Sequence, residues 1–540
     1  MRKISAFFVI SLSITTLSAQ WSTNPAQNTP LATGNEYYNE ITLSTHEPSG
    51  NTFIQWCGSY ANGWSPSIQK VDVLGHPQWG DDGIHISGPA FSSYSNGIAM
   101  CALADGGAVS IFADEAGRCI AVKINDDGTF AWGGEGIVAL ETNSCLRTQI
   151  VAGHNGGFWA LCHDDNYVHC RYYHSDGTPG GDQITIADAG GKNIAFGQLV
   201  LDSDDNVFVL YLKQEHAYTY YYNKSLFVAK YATDGTQLSQ EEELMSEVTI
   251  SSQIRHSACP DGLGGGYAWI CHPIVNDLFE VYLFHFDADG HSTISAPTGL
   301  AVGQPDGINF HMAPDASLHP TSHDLLITFA EVDAMTQTHN GYRANRITPE
   351  GTKVWGDSGI IVLPITTDDI STPMIDAFAD GSGAAITYKF NGNTIKAFGI
   401  DANGSTTWHT TIATPAVDVI SLCDAASGFH NGQNIFAWQG IRNNTFGLYG
   451  QNLQQDGSLG PVSETSIKNE SEENISIYQS NDCLHIDGIE IQRVELVNIA
   501  GQLVKSVTTN AIALGELPQG VYVVRILTTE GKTVSRKVVK

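Results

Sequence analysis

Ile124-Asn125-Asp126-Asp127-Gly128-Thr129-Phe130-Ala131-Trp132-Gly133-Gly134-Glu135-Gly136-Ile137 is the stretch that decides how the chain is read. A short alternating run, Cys119 to Lys123, leads into it. The chain then turns at Asp-Gly and enters a second run that opens on Trp-Gly. Leu74-Gly75 with Trp79-Gly80 and Gly83 repeats the figure, as does Glu350-Gly351 with Trp355-Gly356 and Gly359. Shorter copies stand at Asp176-Gly177, Asp234-Gly235, Asp289-Gly290, Asn403-Gly404 (with Trp408) and Asp456-Gly457. The eight turn glycines are spaced by 53, 49, 58, 55, 61, 53 and 53 residues. Self-similarity at that period marks a repeat architecture.

Asp-Gly or Asn-Gly between two alternating runs signals a β-hairpin, and the tight type I′ turn is the expected geometry. Each copy also carries an earlier strand with a checkable register. Phe112, Cys162, Cys271 and Tyr388 each stand five residues after Gly107, Gly157, Gly266 and Gly383. Trp56, Tyr211, Phe329 and Trp438 fill the matching place in the other copies. A large inward group once per repeat is what stacked four-stranded sheets need between them. Repeats of this length with a periodic Gly/aromatic motif read as β-propeller blades. The expectation is an all-β chain: an eight-bladed propeller, or a seven-bladed one if a terminal repeat is incomplete, followed by a small C-terminal β-sandwich.

The 540 residues divide accordingly: 1–19, 20–464, 465–474 and 475–540. Arg2 and Lys3 precede an apolar run, Ala6 to Leu17, too short to cross a bilayer, and Ser18-Ala19 stands before Gln20. This is the pattern of a secretory signal peptide cleaved between Ala19 and Gln20. Residues 20–464 hold the propeller, and the polar run from Thr465 to Asn474 reads as a linker. The formal charge is −31, with six acids and seven bases in 475–540. The propeller segment is therefore strongly acidic. That excludes nucleic acid and anionic membrane surfaces as partners, since both require a basic face.

In residues 475–540, Arg493 to Asn498 and Leu503 to Val507 form a hairpin around Ala500-Gly501-Gln502. Leu517-Pro518-Gln519-Gly520 turns into the alternating run Val521 to Leu527, and the chain ends on Arg536-Lys537-Val538-Val539-Lys540. This segment resembles the C-terminal sorting domain of type IX secretion cargo proteins of Bacteroidetes. Gly501, Gly520, Tyr522, Lys537 and Lys540 carry the resemblance. The usual opening Pro-Asn-Pro is replaced here by Tyr478-Gln479-Ser480-Asn481. The resemblance implies the type IX machinery as a partner, export across the outer membrane, and attachment to cell-surface lipopolysaccharide or release.

Catalytic signatures are sparse. The Asp-box of sialidase-type propellers places Trp three residues after its Gly, whereas Trp79, Trp132, Trp355 and Trp408 stand four after theirs. No Gly-x-Ser-x-Gly elbow, His-Glu-x-x-His helix or phosphate-binding Gly-Lys-Ser loop is present. The sequence assigns no catalytic, cofactor or metal residue. Asp202-Ser203-Asp204-Asp205-Asn206 and Asp287-Ala288-Asp289-Gly290 offer oxygens to calcium but read first as turns. Cys162-His163 and Cys271-His272 put each Cys in the core register, with the histidines on the opposite strand face and open to exposure. Cys162 and Cys170 are a candidate cross-hairpin pair. Tyr218-Thr219-Tyr220-Tyr221-Tyr222 and the segment Met335 to His339 are insertions suited to contact. The functional expectation is a secreted or cell-surface, non-enzymatic binding protein with a glycan or protein ligand. The alternative is an extracellular propeller hydrolase acting on glycans or peptides.

Overall fold

The computed structural model describes residues 21–461 apart from 34–37, 47, 61–62, 87–96, 143, 165, 216–220, 252–253, 255, 274–277, 295–297, 415–417, 420–427 and 443. Within 476–539 it describes all but 481–482, 488–490, 499–502, 515–516, 518–520 and 530–532. The chain divides into two units, Met1–Ser466 and Ile467–Lys540. The signal-peptide residues, including Ala19 and Gln20, lie outside the described set.

The first unit is a β-propeller built, among the described residues, from eight four-stranded antiparallel sheets. Seven sheets take four consecutive strands each. The second, for example, runs through Ile98–Ala102, Ala108–Ala113, Cys119–Ile124 and Ile137–Leu140. Among these seven, the first strand of each packs against the first strand of the next. Side chains lock these neighbours together: Ala102 N donates to Ser44 Oγ (2.8 Å), Leu199 N to Gln149 Oε1 (2.6 Å) and Ile375 N to Asp315 Oδ2 (2.7 Å). The second strands are the most deeply buried. Trp56, Phe112, Cys162, Tyr211, Cys271, Phe329, Tyr388 and Trp438 all lie there, and all are buried.

The eighth sheet joins both ends of the segment. Asp418–Val419, Gln433–Arg442 and Thr445–Gln454 are completed by Thr29–Ala32, with Thr29 opposite Gly450. This closing strand was not visible in the repeat pattern, because its residues stand before the first copy.

The eight turn glycines all have φ between +82° and +94°. Their turns are not of type I′. Asn125 N donates to Thr129 O (2.8 Å) and Gly128 N to Asn125 O (2.9 Å), and only the glycine is left-handed. This is a type I turn followed by a left-handed residue, the three-residue hairpin. The preceding Asp stays right-handed because its carboxylate accepts the N–H two residues on, as Asp127 does from Thr129 (3.0 Å).

Each turn is gripped by the sheet before it. A Cβ on Gly177 would come 2.8 Å from Trp132, and one on Gly457 would come 2.6 Å from Trp408. The turn carbonyl two residues before the glycine takes a donor from the same side. Trp355 Nε1 reaches Ala402 O (3.1 Å), Lys123 Nζ reaches Ser175 O (2.8 Å) and Lys230 Nζ reaches Ala288 O (2.9 Å). The last turn, at Gly457, has no Trp four residues later. Trp21 takes the vacant place: it lies against Gly75 and donates Nε1 to Val73 O (3.1 Å).

In the second unit, Ser476–Ser480, Cys483–Asp487 and Ala511–Ala513 form one sheet. Leu503–Val507, Ile491–Asn498, Val521–Thr528 and Thr533–Val539 form another. Leu484, Ile486, Val494, Leu496, Ile512, Tyr522 and Ile526 share one core.

Trp21 is 1 % exposed and fastens the ring where its two ends meet. Trp21→Ala should therefore cost about 3–5 kcal/mol of stability. Urea unfolding of residues 20–540 checks this, and a loss below ~1 kcal/mol would show that Trp21 is not a fastener.

Candidate functional site

The connections divide between two ends of the ring. The Asp-Gly turns follow the third strands at one end. The first strands begin at the other, the entry end, where the connections between second and third strands also lie. Both sequence insertions fall at the entry end. The tyrosine-rich segment joins Val207–Gln214 to Tyr221–Tyr231, and the Met335 segment joins Leu325–Asp333 to Asn340–Ile347. Tyr218 to Tyr220 lie outside the described residues. Met335 is 94 % exposed on a loop whose base Asp333 holds by accepting from Met335 N and Thr336 N, both 3.1 Å.

Three first strands are bulged near this end, with ladder shifts between Asn39 and Thr42, Ala195 and Gln198, and Met312 and Asp315. Each bulge carries a left-handed residue that is not glycine: Glu40 (+49°), Phe196 (+56°) and Ala313 (+52°). Such conformations cost on the order of 1–3 kcal/mol and persist only where the surroundings fix them. Burial pushes the Glu40 carboxyl up, against the Ile98 N–H and the charge of Arg147.

The densest ionisable group lies between the fifth and sixth sheets. His311 Nδ1 is 2.7 Å from Glu280 Oε2, and its Nε2 is 3.7 Å from Glu331 Oε1. Arg343 Nε closes on the same Glu331 oxygen at 3.0 Å. Burial would lower the His311 pKa, but hydrogen bonding and charge from Glu280 and Glu331 overcome it and hold it at about 9. Glu331 is pulled down, its burial outweighed by His311 and Arg343. The two converging carboxylates are thus tied to cations. The carboxyl that is raised, Glu40, stands beside Arg147.

His256 begins the first strand of the fifth sheet and is 1 % exposed. Neither ring nitrogen has a hydrogen-bond partner among the described residues. Burial, aided by the charge of Lys224, pushes its pKa down to about 3. Lys224 is itself buried, donating to Ile254 O at 3.0 Å with its amine 5.2 Å from the Phe196 ring centre.

Other residues marked in the sequence are placed as follows. His163 and His272 are buried, not exposed, because neighbouring sheets cover both faces of each sheet. Cys162 pairs with His169, while Cys170 pairs with Leu161. The two cysteines therefore face opposite sides and pack in different cores, and both are free thiols. Asp202 accepts from Asp204 N and Asn206 N, both 2.9 Å, and pairs with Lys230 at 2.8 Å. Asp287 accepts from Asp289 N (3.0 Å) and His291 N (2.9 Å) as a turn residue. In the second unit, Tyr522 is buried and Lys537 pairs with Val523. Gly501, Gly520 and Lys540 lie outside the described residues. Sequence reasoning missed Glu280, His311, Glu331 and Arg343, because only strand register brings these separated residues together.

The chain is thus a β-propeller protein carrying a separate all-β tail. Residues 469–540 match the family described as Secretion system C-terminal sorting domain. The tail is a sorting domain of the type IX secretion system, and it marks the protein for export to the extracellular space or cell surface through that machinery. A search of curated proteins found no match. Among solved structures, the chain is similar to the BP39L lectin from Burkholderia pseudomallei at 14 % identity and a TM-score of 0.44, covering 70 % of this chain and 100 % of that one. It is also similar to the polysaccharide lyase Uly1 (9 % identity, TM-score 0.41, covering 82 % and 94 %). A third is the Dos1 propeller (12 % identity, TM-score 0.38, covering 85 % and 92 %). At these scores the three carry no argument about what the chain binds or does.

The lowered His256 pKa makes stability depend on pH. The folded state keeps His256 neutral, while the unfolded chain binds a proton below 6.5. Its contribution is therefore complete above 6.5 and falls as the pH drops towards 3, by about 1.4 kcal/mol per pH unit. Relative to His256→Leu, the native chain should lose stability at that rate between pH 6.5 and 4. Parallel stability curves for the two proteins would contradict the assignment.

Proposed function

We propose that this is an eight-bladed propeller acting as a secreted, non-enzymatic binding protein of adhesin type. Its ligand is a glycan or a protein, taken at the entry end of the ring. The sorting domain, a small sandwich, delivers the protein through the type IX system, after which the propeller is attached to cell-surface lipopolysaccharide or released. No cofactor is required by this reading, and calcium is the one ion it admits.

One observation carries it. The entry end gathers both insertions and the densest ionisable cluster, yet its carboxylates are committed to cations. Glycoside hydrolysis by a carboxylate pair needs two carboxyls about 5–10 Å apart, one with a raised pKa to act as acid. Glu280 and Glu331 converge on a shared His311, and Glu331 is held low. Glu40 is raised but faces Arg147. Pre-formed ion pairs with exposed loops around them suit recognition, where fixed charges and contact area count and proton transfer does not.

The mature chain, presented to a glycan and host-protein array, should bind a defined ligand saturably and leave it intact. Turnover of a captured ligand would overturn the binding reading in favour of the hydrolase, with Glu40 the first carboxyl to replace.

A further inference from the structure

The Glu280–His311–Glu331 group has a feature that neither binding nor folding requires. His311 is 2 % exposed, and its Nε2 has no partner within hydrogen-bond distance among the described residues, Glu331 Oε1 standing 3.7 Å away as an ion-pair partner. That nitrogen is aimed at carboxylates. One ligand-type atom each from Asp306, His311 and Glu331 lies within 4.8 Å of the other two.

We propose that Asp306, His311 and Glu331 form a divalent-cation site, with His311 Nε2 and two carboxylate oxygens as ligands and Glu280 orienting the imidazole.

The orienting role rests on geometry. Glu280 is 1 % exposed and sits 2.7 Å from His311 Nδ1, so it accepts that N–H and leaves Nε2 as the free donor. A metal-bound histidine is usually held in this way by a carboxylate on its other nitrogen. Arg343, 3.0 Å from Glu331 Oε1, fixes the second carboxylate. Glu331 lies directly across the ladder from His311, so their separation is set by strand pairing. Asp306 precedes the strand and is exposed; its Oδ1 accepts from Ile308 N (2.7 Å) and Asn309 N (2.9 Å) and its Oδ2 from Asn309 Nδ2 (3.0 Å), which holds the carboxylate in place and leaves a lone pair of Oδ2 for an ion. Bond lengths of about 2.0–2.2 Å require the three ligand atoms to draw together by less than about 1.5 Å.

The charges agree. Asp306, Glu331 and Glu280 supply three negative charges and Arg343 one positive, leaving two for a cation to neutralise when the imidazole is neutral. Lys353 also acts on Glu280, but Asp357 offsets it. One nitrogen with two oxygens selects zinc or manganese over calcium, which prefers six to eight oxygens. The Asp287, Asp289 and His291 group has comparable spacing, but all three stand on one open turn and none is buried, whereas His311 and Glu331 are.

The test uses the mature chain stripped with chelator, then titrated calorimetrically with zinc, manganese or calcium. Zinc or manganese should bind at one equivalent and raise the melting temperature. Asp306→Asn and His311→Gln should each weaken binding at least tenfold, and Glu280→Gln by roughly 10–100-fold as an orienting residue. His291→Ala should leave binding unchanged. Circular dichroism of the metal-free variants checks that each remains folded. The proposal is overturned if the native chain binds neither zinc nor manganese, binds calcium alone, or loses binding with His291→Ala while Asp306→Asn retains it.

Discussion

The carbonyl two residues before each turn glycine is the point on which the ring depends. A hairpin turn leaves that oxygen facing outward, and the neighbouring sheet would bury it without a partner. An unmet buried carbonyl costs about 1–3 kcal/mol. At six of the eight turns the preceding sheet supplies a donor. Trp21 reaches Val73, Lys70 reaches Asp126, Lys123 reaches Ser175, Lys230 reaches Ala288, Trp355 reaches Ala402 and Trp408 reaches Gln455. Burying a lysine amine is tolerable because an aspartate from another turn pairs with it, as Asp105 does with Lys123 (2.5 Å) and Asp202 with Lys230 (2.8 Å). Each contact crosses from one sheet to the next, so no sheet is complete alone. The circuit closes because Thr29–Ala32 completes the last sheet while Trp21, from the same segment, reaches Val73 in the turn of the first.

Fold and function separate along the strand direction. The turn end is committed to this fastening and repeats with little variation. The entry end is where the repeat breaks down: bulges, insertions and ionisable groups differ from sheet to sheet. A ring fixed at one end leaves the other free to vary. The left-handed bulge residues Glu40, Phe196 and Ala313 all stand in first strands at that variable end, as expected where packing on both sides over-determines a strand.

Much of the fold could be read from the sequence because its signals are local. Asp-Gly with a Trp four residues on is a short-range pattern, and the eight inward residues from Trp56 to Trp438 follow from strand alternation. The turn type was misread because Asp-Gly fits two hairpin geometries. The choice between them lies in backbone bonds such as Asn125 to Thr129, which a dipeptide does not reveal. Trp21 was missed because it completes the eighth copy from the start of the chain. The site was harder still. Glu280, His311, Glu331 and Arg343 lie on four strands of two sheets, and each looks unremarked where it stands. Histidine exposure was misjudged for a related reason: alternation gives the face of a strand, whereas in a closed ring both faces are covered.

Mutual completion of the sheets has one direct consequence. All ten tryptophans lie in the propeller and none in the sorting unit, so tryptophan emission follows the propeller alone. Urea unfolding of the mature chain, followed by emission at equilibrium, measures whether the ring comes apart as one body. The account predicts a single two-state transition, since losing one sheet removes core and hydrogen-bond donors from both neighbours. Two or more resolved emission transitions, with part of the ring surviving the loss of the rest, would contradict it.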